Sequence, residues 1–195
     1  MNIKTLLIIL LVLLLVTSCS SKKENDIENQ KYKTELSSYA KDYMISLKKV
    51  LIKNMQEGGP IQAVNICSDT ASEMTQNFSE KNNVTIKRFS FKNRNISNVP
   101  DEMEKSILNE FQKLSDKGEL TGKTFKLNKS KVNGKTTITF IKPIVIEAPC
   151  LNCHGNETQV DKKVAELLKN KYPADKAVGY KVGDLRGAIS VTKVL

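Results

Sequence analysis

The residues most suited to chemistry form one run, Cys150-Leu151-Asn152-Cys153-His154. The spacing C-x-x-C-H is the attachment sequence of c-type haem, in which two thiols add to the porphyrin vinyl groups and the next imidazole binds the iron. The chain has four cysteines and one histidine, and that histidine directly follows the pair. The run therefore predicts covalent haem c on Cys150 and Cys153, with His154 as an iron ligand.

Two other chemistries fit parts of the same set of residues. A redox disulfide between Cys150 and Cys153 is disfavoured, because such pairs normally follow a strand in a βαβ unit and no such pattern surrounds them. Zinc is the second alternative, since Cys67, Cys150, Cys153 and His154 make a Cys3His donor set. Adjacent Cys153 and His154 would bind one tetrahedral ion awkwardly, so haem is the preferred interpretation.

The second axial ligand of the iron is not fixed by this spacing. A second histidine is excluded, because the chain has only one. Methionines and lone cysteines at helical spacing are usually core residues, but an exported thiol without a partner is a candidate for function. The open alternatives are a lysine, a vacant position for water or a gas, and the sulfurs of Cys67, Met44, Met55, Met74 and Met103.

Two long helices are predicted upstream of the motif. Apolar residues recur at intervals of three and four from residue 31 to residue 57. Gly58 and Gly59 end this helix, and Pro60 suits the first turn of a second one. Cys67 lies in the middle of the apolar stripe of the second helix, which consists of Ile61, Val64, Cys67, Ala71, Met74 and Phe78.

Strands and two shorter helices follow. Residues 84–91 resemble a strand in which Val84 and Ile86 would face one side and Phe89 and Phe91 the other. A bulge near Lys87-Arg88 would bring both pairs to the same side. Asn133-Gly134 fits the type I′ turn of a hairpin. The order predicts an α+β domain with a mainly antiparallel sheet. Its other elements are helices from Pro100 to Gly118 and over 160–171, and a last strand over 187–195.

The N-terminus has the pattern of an exported lipoprotein. Residues 1–18 combine a basic start with a short apolar core, as a signal peptide does, and the core is short for a membrane span. Cys19 follows small residues as in a lipobox, which predicts acylation of its thiol and anchoring to membrane lipid. Residues 19–30 suit a flexible tether and residues 31–195 a single domain, placed in the cell envelope and facing the periplasm.

The formal net charge of +10 raises the question of an acidic partner. Export and the lack of an aromatic-interleaved basic cluster argue against nucleic acid. The preferred interpretation of the charge is a solvated basic surface. For electron transfer, such a surface would orient a redox protein by complementary charge. The long first helix also suits pairing with a second copy of the chain in a homodimer.

Four ordered blocks resemble the bacterial monohaem c-type cytochromes with a PAS-like fold, over about residues 35–195. In that family the iron ligands are the motif histidine and a cysteine of the N-terminal helical region, which implies His154 and Cys67 here. The blocks are Ala63-Val64-Asn65-Ile66-Cys67-Ser68; Lys92-Asn93-Arg94-Asn95 with Asn98-Val99-Pro100-Asp101; Pro149-Cys150-Leu151-Asn152-Cys153-His154-Gly155; and Tyr172-Pro173 with Gly183-Asp184-Leu185-Arg186-Gly187-Ala188.

The implied thiolate ligand favours a low reduction potential, because it adds negative charge where an electron must be added. Electron transfer is the expected function, and a haem-based redox or gas sensor is the alternative. No arrangement of catalytic residues is recognisable, so we expect no enzymatic activity. Arg94 and Arg186 suit pairing with a haem propionate, although such residues, like Asp184, more often fix a turn.

Overall fold

We describe the chain from a computed structural model, which covers residues 26–195 in full and only the backbone of residues 3–25. The predicted signal peptide, residues 1–18, and the acylation site Cys19 lie outside the fully described residues. Within those residues, every helix is too short or too polar to cross a membrane. The chain divides into two compact units, Met1–Glu35 and Leu36–Leu195, so the second unit begins five residues after the predicted domain start.

The first helical element, α1, extends over Ile3–Asn82 and is broken at Gly58 and Gly59. Residues 26–30, predicted as part of a flexible tether, are helical; they contain neither Gly nor Pro and so offer no reason for the helix to stop. The predicted break at the two glycines is confirmed. Gly59 has φ 69° and ψ −166°, a conformation that is essentially restricted to glycine.

The two parts of α1 in the second unit fold back on each other. The Tyr43 hydroxyl lies 2.6 Å from Oγ1 of Thr75, and the rings of Tyr43 and Phe78 meet edge to face with centroids 5.6 Å apart. Nearer the break, the Gln62 amide donates to Oδ1 of Asn54 at 3.0 Å. Residues 60–82, which we call the C-terminal segment of α1, therefore carry Cys67 back along the first part.

The sheet contains four strands, all antiparallel, in the order β1-β4-β3-β2. The predicted hairpin is confirmed, with positive φ at Asn133 and Gly134 as a type I′ turn requires. The predicted bulge near Lys87-Arg88 is wrong, because β1 pairs with β4 in an unbroken register. The strands are β1 (Thr85–Phe89), β2 (Lys126–Val132), β3 (Lys135–Val145) and β4 (Leu185–Val194).

Three helices follow α1 in the chain. Helix α2 (Glu102–Asp116) begins with a capping box between Asp101 and Glu104 and packs Phe111 against Phe89 and other core residues of the sheet. Helix α3 (Leu151–His154) is a single turn, and α4 (Lys162–Lys171) is capped by Asp161. The predicted α+β class, antiparallel sheet and long N-terminal helices are thus confirmed.

Candidate functional site

The C-x-x-C-H run forms one compact turn. A 3-10 turn over Ala148–Cys150 leads directly into α3, which ends at His154 and is capped by Gly155. The Gly155 amide donates to the Leu151 carbonyl at 3.0 Å, and a Cβ on residue 155 would lie 2.6 Å from that oxygen. This turn brings Cys150, Cys153 and His154 together within five consecutive residues, as two thioether bonds and an adjacent iron ligand require.

The His154 ring is held in one tautomer. Its Nδ1 lies 2.7 Å from the Ala177 carbonyl, and because a carbonyl only accepts, Nδ1 carries the proton and the lone pair is on Nε2. Burial, followed by the positive charges of Arg94 and Arg186, lowers the pKa of His154 to about 3. The imidazole is therefore neutral at pH 7, which is the form that binds a metal through Nε2.

A buried ion pair holds the loop that supplies the Ala177 carbonyl. Nε of Arg94 donates to Oδ2 of Asp175 at 2.8 Å, and Oδ1 of Asp175 accepts from the Ala177 amide at 2.7 Å. Nη2 of Arg94 donates to the carbonyls of Cys153 at 2.5 Å and of Ala177 at 3.3 Å. Arg94 thus connects the motif to the loop, and no haem propionate is needed to explain its burial.

Tyr180 lies beside the imidazole. The two rings are 6.2 Å apart and nearly perpendicular. The other surroundings of Tyr180 are cationic, with Nζ of Lys92 at 4.3 Å and the guanidinium carbon of Arg186 at 5.5 Å from its centroid. Arg186 also donates to the Lys92 carbonyl at 3.0 Å. Asp184 fixes a turn by accepting from the Lys181 amide at 2.7 Å, as predicted for residues of this block.

Cys67 lies on the C-terminal segment of α1, which packs beside the motif. Val64, one turn before Cys67, belongs to the same apolar cluster as Cys153, Val164 and Leu168. The carboxylate of Asp69 accepts from Lys171 at 3.1 Å, which ties the segment to α4. These contacts bring Cys67 into the neighbourhood of Cys153.

The thiols of Cys67 and Cys153 favour their protonated forms. Burial raises the pKa of Cys67, and the positive charge of Arg88 opposes that shift. Burial is also the main reason that the pKa of Cys153 is raised, and the proximity of Cys67 contributes to the shift. All three described cysteines are free thiols, so the disulfide alternative has no support here.

Other predicted donors are arranged differently. Within residues 26–195 no three His, Cys, Asp or Glu side chains converge as a metal site would require, so the Cys3His zinc alternative has no preformed cluster. Met103 packs against the core between α2 and the sheet, which is the core role expected of most methionines. Met44, Met55 and Met74 are partly buried on α1.

Sequence reasoning missed Ala177, Asp175 and Tyr180. The relevant group of Ala177 is its backbone carbonyl, which has no residue-type signal. Asp175 acts through a partner 81 residues away in the chain. A tyrosine between two cations has no diagnostic spacing, so none of the three could be recognised from the sequence alone.

Together these features define a class of protein: an α+β domain in which a helical hairpin packs beside a C-x-x-C-H turn. The family model described as Tll0287-like matches residues 22–193, and the chain belongs to that family. The fold is similar to the crystal structure of the cyanobacterial heme-protein Tll0287, with a TM-score of 0.58 and 22% identity over 80% of this chain and 92% of that one. No curated protein sequence matches the chain.

Proposed function

We propose that this chain is a membrane-anchored monohaem c-type cytochrome that transfers single electrons. The observation that carries the proposal is the hydrogen bond from Nδ1 of His154 to the Ala177 carbonyl. It leaves Nε2 of a neutral imidazole with a lone pair available for a metal, next to two free thiols. The matched solved structure is that of a heme-protein, which supports the same cofactor here.

The residues present fit a covalent haem. Cys150 and Cys153 would hold it through thioether bonds, and His154 would bind its iron through Nε2. Bound there, haem supplies one-electron exchange. Zinc in place of haem would need four donors converging on one point, which the described residues do not offer.

Cys67 is the proposed second iron ligand. Its segment packs beside Cys153 through Val64, and the positive charge of Arg88 partly offsets the burial that raises the pKa of its thiol. A thiolate brings negative charge to a partly buried site and so disfavours the addition of an electron, which predicts a low reduction potential. The PAS-like description of the fold belongs to this proposal, and the four-stranded antiparallel sheet with its helices supports it.

The location and partner are part of the same proposal. Acylated Cys19 would anchor the domain to membrane lipid in the cell envelope, facing the periplasm. The excess of positive charge would orient an acidic redox protein at the haem by complementary electrostatics. We propose no catalytic role and no nucleic-acid binding.

The absorption spectrum of Cys67→Ala tests the ligand set. Wild-type protein matured with haem should show a low-spin ferric spectrum of the thiolate type, and Cys67→Ala should lose it. Met74→Ala is the matched control, because Met74 is a partly buried sulfur two turns further along the same helical segment. An unchanged spectrum in Cys67→Ala would eliminate this ligand. A colourless wild-type protein would eliminate the function.

Carbon monoxide separates electron transfer from sensing. An electron carrier would keep both iron ligands in the reduced state, so reduced wild-type protein should not bind carbon monoxide. Rapid binding would instead favour a redox or gas sensor, in which loss of the Cys67 bond moves the C-terminal segment of α1. The spectrum of the reduced protein under carbon monoxide decides between them.

A further inference from the structure

The Ala177 peptide is held at both of its hydrogen-bonding groups. Its amide donates to Oδ1 of Asp175 at 2.7 Å, and its carbonyl accepts from Nδ1 of His154 at 2.7 Å and from Nη2 of Arg94 at 3.3 Å. Arg94 and Asp175 also bind each other at 2.8 Å. The acceptor of the only histidine in the chain is therefore fixed by one buried ion pair.

This pair is built differently from the surface ion pairs of the molecule. The side chains of Arg94 and Asp175 are only 13% and 11% exposed, whereas those of Lys48 and Glu147 are 53% and 61% exposed. A buried charged pair is costly unless further hydrogen bonds satisfy it. Here those bonds go to the backbone of Cys153 and Ala177, so the pair connects the motif with the loop that orients its imidazole.

We propose that Arg94 and Asp175 are positioning residues that maintain the His154–Ala177 hydrogen bond and thereby set the reduction potential of the haem. The statement about the reduction potential rests on the proposed function, whereas the hydrogen bond can be measured whether or not the chain carries haem. A firmly held carbonyl keeps Nδ1–H polarised and makes the ring a stronger electron donor through Nε2. A stronger donor favours the oxidised state of the site and lowers the potential.

Two substitutions separate this role from simple loss of charge. Arg94→Lys keeps the positive charge, but an ammonium cannot reproduce the planar fork that reaches Asp175 and two carbonyls. Asp175→Asn keeps the shape and removes the negative charge. Both should weaken the hold on the Ala177 carbonyl, so both should raise the midpoint potential. In Asp175→Asn the lost negative charge acts in the same direction.

The Lys87–Glu104 ion pair supplies matched controls. Glu104 is 4% exposed on its side chain and lies 2.6 Å from Nζ of Lys87, and neither residue is among the groups that shift the pKa of His154. Glu104→Gln removes the same charge as Asp175→Asn, and Lys87→Arg exchanges one cation for the other. Both controls should lower stability without moving the midpoint potential.

A second measurement reads the hydrogen bond directly. Because His154 is the only histidine, selective ¹⁵N-histidine labelling of the full chain gives the signals of one ring in the reduced, diamagnetic protein. The Nδ1 proton should exchange slowly with water in wild type and in both controls. It should exchange several-fold faster in Arg94→Lys and Asp175→Asn. If Asp175→Asn does not fold, Arg94→Lys carries the comparison.

Each outcome decides the inference. Wild-type potentials and exchange rates in Arg94→Lys and Asp175→Asn would overturn it, as would a Glu104→Gln shift equal to that of Asp175→Asn. If the purified chain contains no haem, the proposed function fails, and the Nδ1 exchange comparison in the same chain still tests the positioning role. Failure of the one is therefore distinguishable from failure of the other.

Discussion

Gly155 shows how closely the motif turn is packed at the residue scale. Its φ of −68° and ψ of −172° are open to any residue, so the need for glycine is steric. A Cβ there would meet the Leu151 carbonyl oxygen at 2.6 Å, within the turn that presents Cys150, Cys153 and His154. The glycine that follows the motif thus belongs to its geometry.

Gly155→Ala should therefore distort the turn. We expect stability to fall by about 1–3 kcal/mol and the fraction of chains with covalently bound haem to fall with it. The free energy of unfolding in urea and the ratio of haem absorbance to protein measure the two effects. Gly122→Ala is the control, since a Cβ on residue 122 meets nothing within 4 Å. Equal behaviour of both variants would contradict the steric argument.

Residue types predicted the parts of the site that depend on side-chain chemistry. Cys150, Cys153 and His154 were recognisable because their spacing is specific. Residue type left Cys67 as one of several open candidates for the second ligand, and only the family resemblance selected it. The Ala177 carbonyl was not recognisable, because every residue has one. The Arg94–Asp175 contact depends on how the chain folds back over 81 residues, which no local pattern records.

At the scale of elements, the break in α1 is the feature that positions Cys67. Tyr43, Thr75 and Phe78 make contact only because the chain reverses at Gly58 and Gly59. Gly59 has φ 69° and ψ −166°, and a Cβ on it would have open space around it. The demand for glycine here is therefore one of backbone conformation.

Gly59→Ala should destabilise the helical hairpin by about 1–3 kcal/mol, the cost of a non-glycine residue in this region of φ and ψ. Because the hairpin carries Cys67, the variant should also weaken the thiolate-type ferric spectrum that the proposed ligation predicts. Urea unfolding and absorption spectroscopy report the two effects, again beside Gly122→Ala. Wild-type stability in Gly59→Ala would count against this role of Gly59, and so would a wild-type spectrum.

Elements were predictable where local chemistry specifies them. The glycine break, the Asn133-Gly134 turn and the capped α2 all follow from residue types at fixed positions. The predicted bulge in β1 failed for a tertiary reason. Ile86 and Phe89 are both buried although residues three apart face opposite sides of a strand. Strand β1 is therefore covered on both faces, and no bulge is needed to bring its apolar residues to one side.

At the scale of the whole molecule, the formal net charge of +10 predicts how the proposed electron transfer responds to salt. Electron transfer from the reduced protein to the hexacyanoferrate(III) anion should slow as ionic strength rises from about 0.01 M to about 0.5 M, because salt screens the attraction. Stopped-flow rates measure it, with an uncharged quinone as the control acceptor. A rate that rises with salt would show that the surface around the electron-exchange site is negative.

The sheet also has a consequence for how the molecule is made. Strand β4 is the latest of the strands in chain order, yet it pairs with β1 on one side and β3 on the other. A nascent chain that has not reached residue 185 presents both neighbours as open edges, which are templates for association between chains. Chains that end before this strand are therefore expected to associate with one another and aggregate.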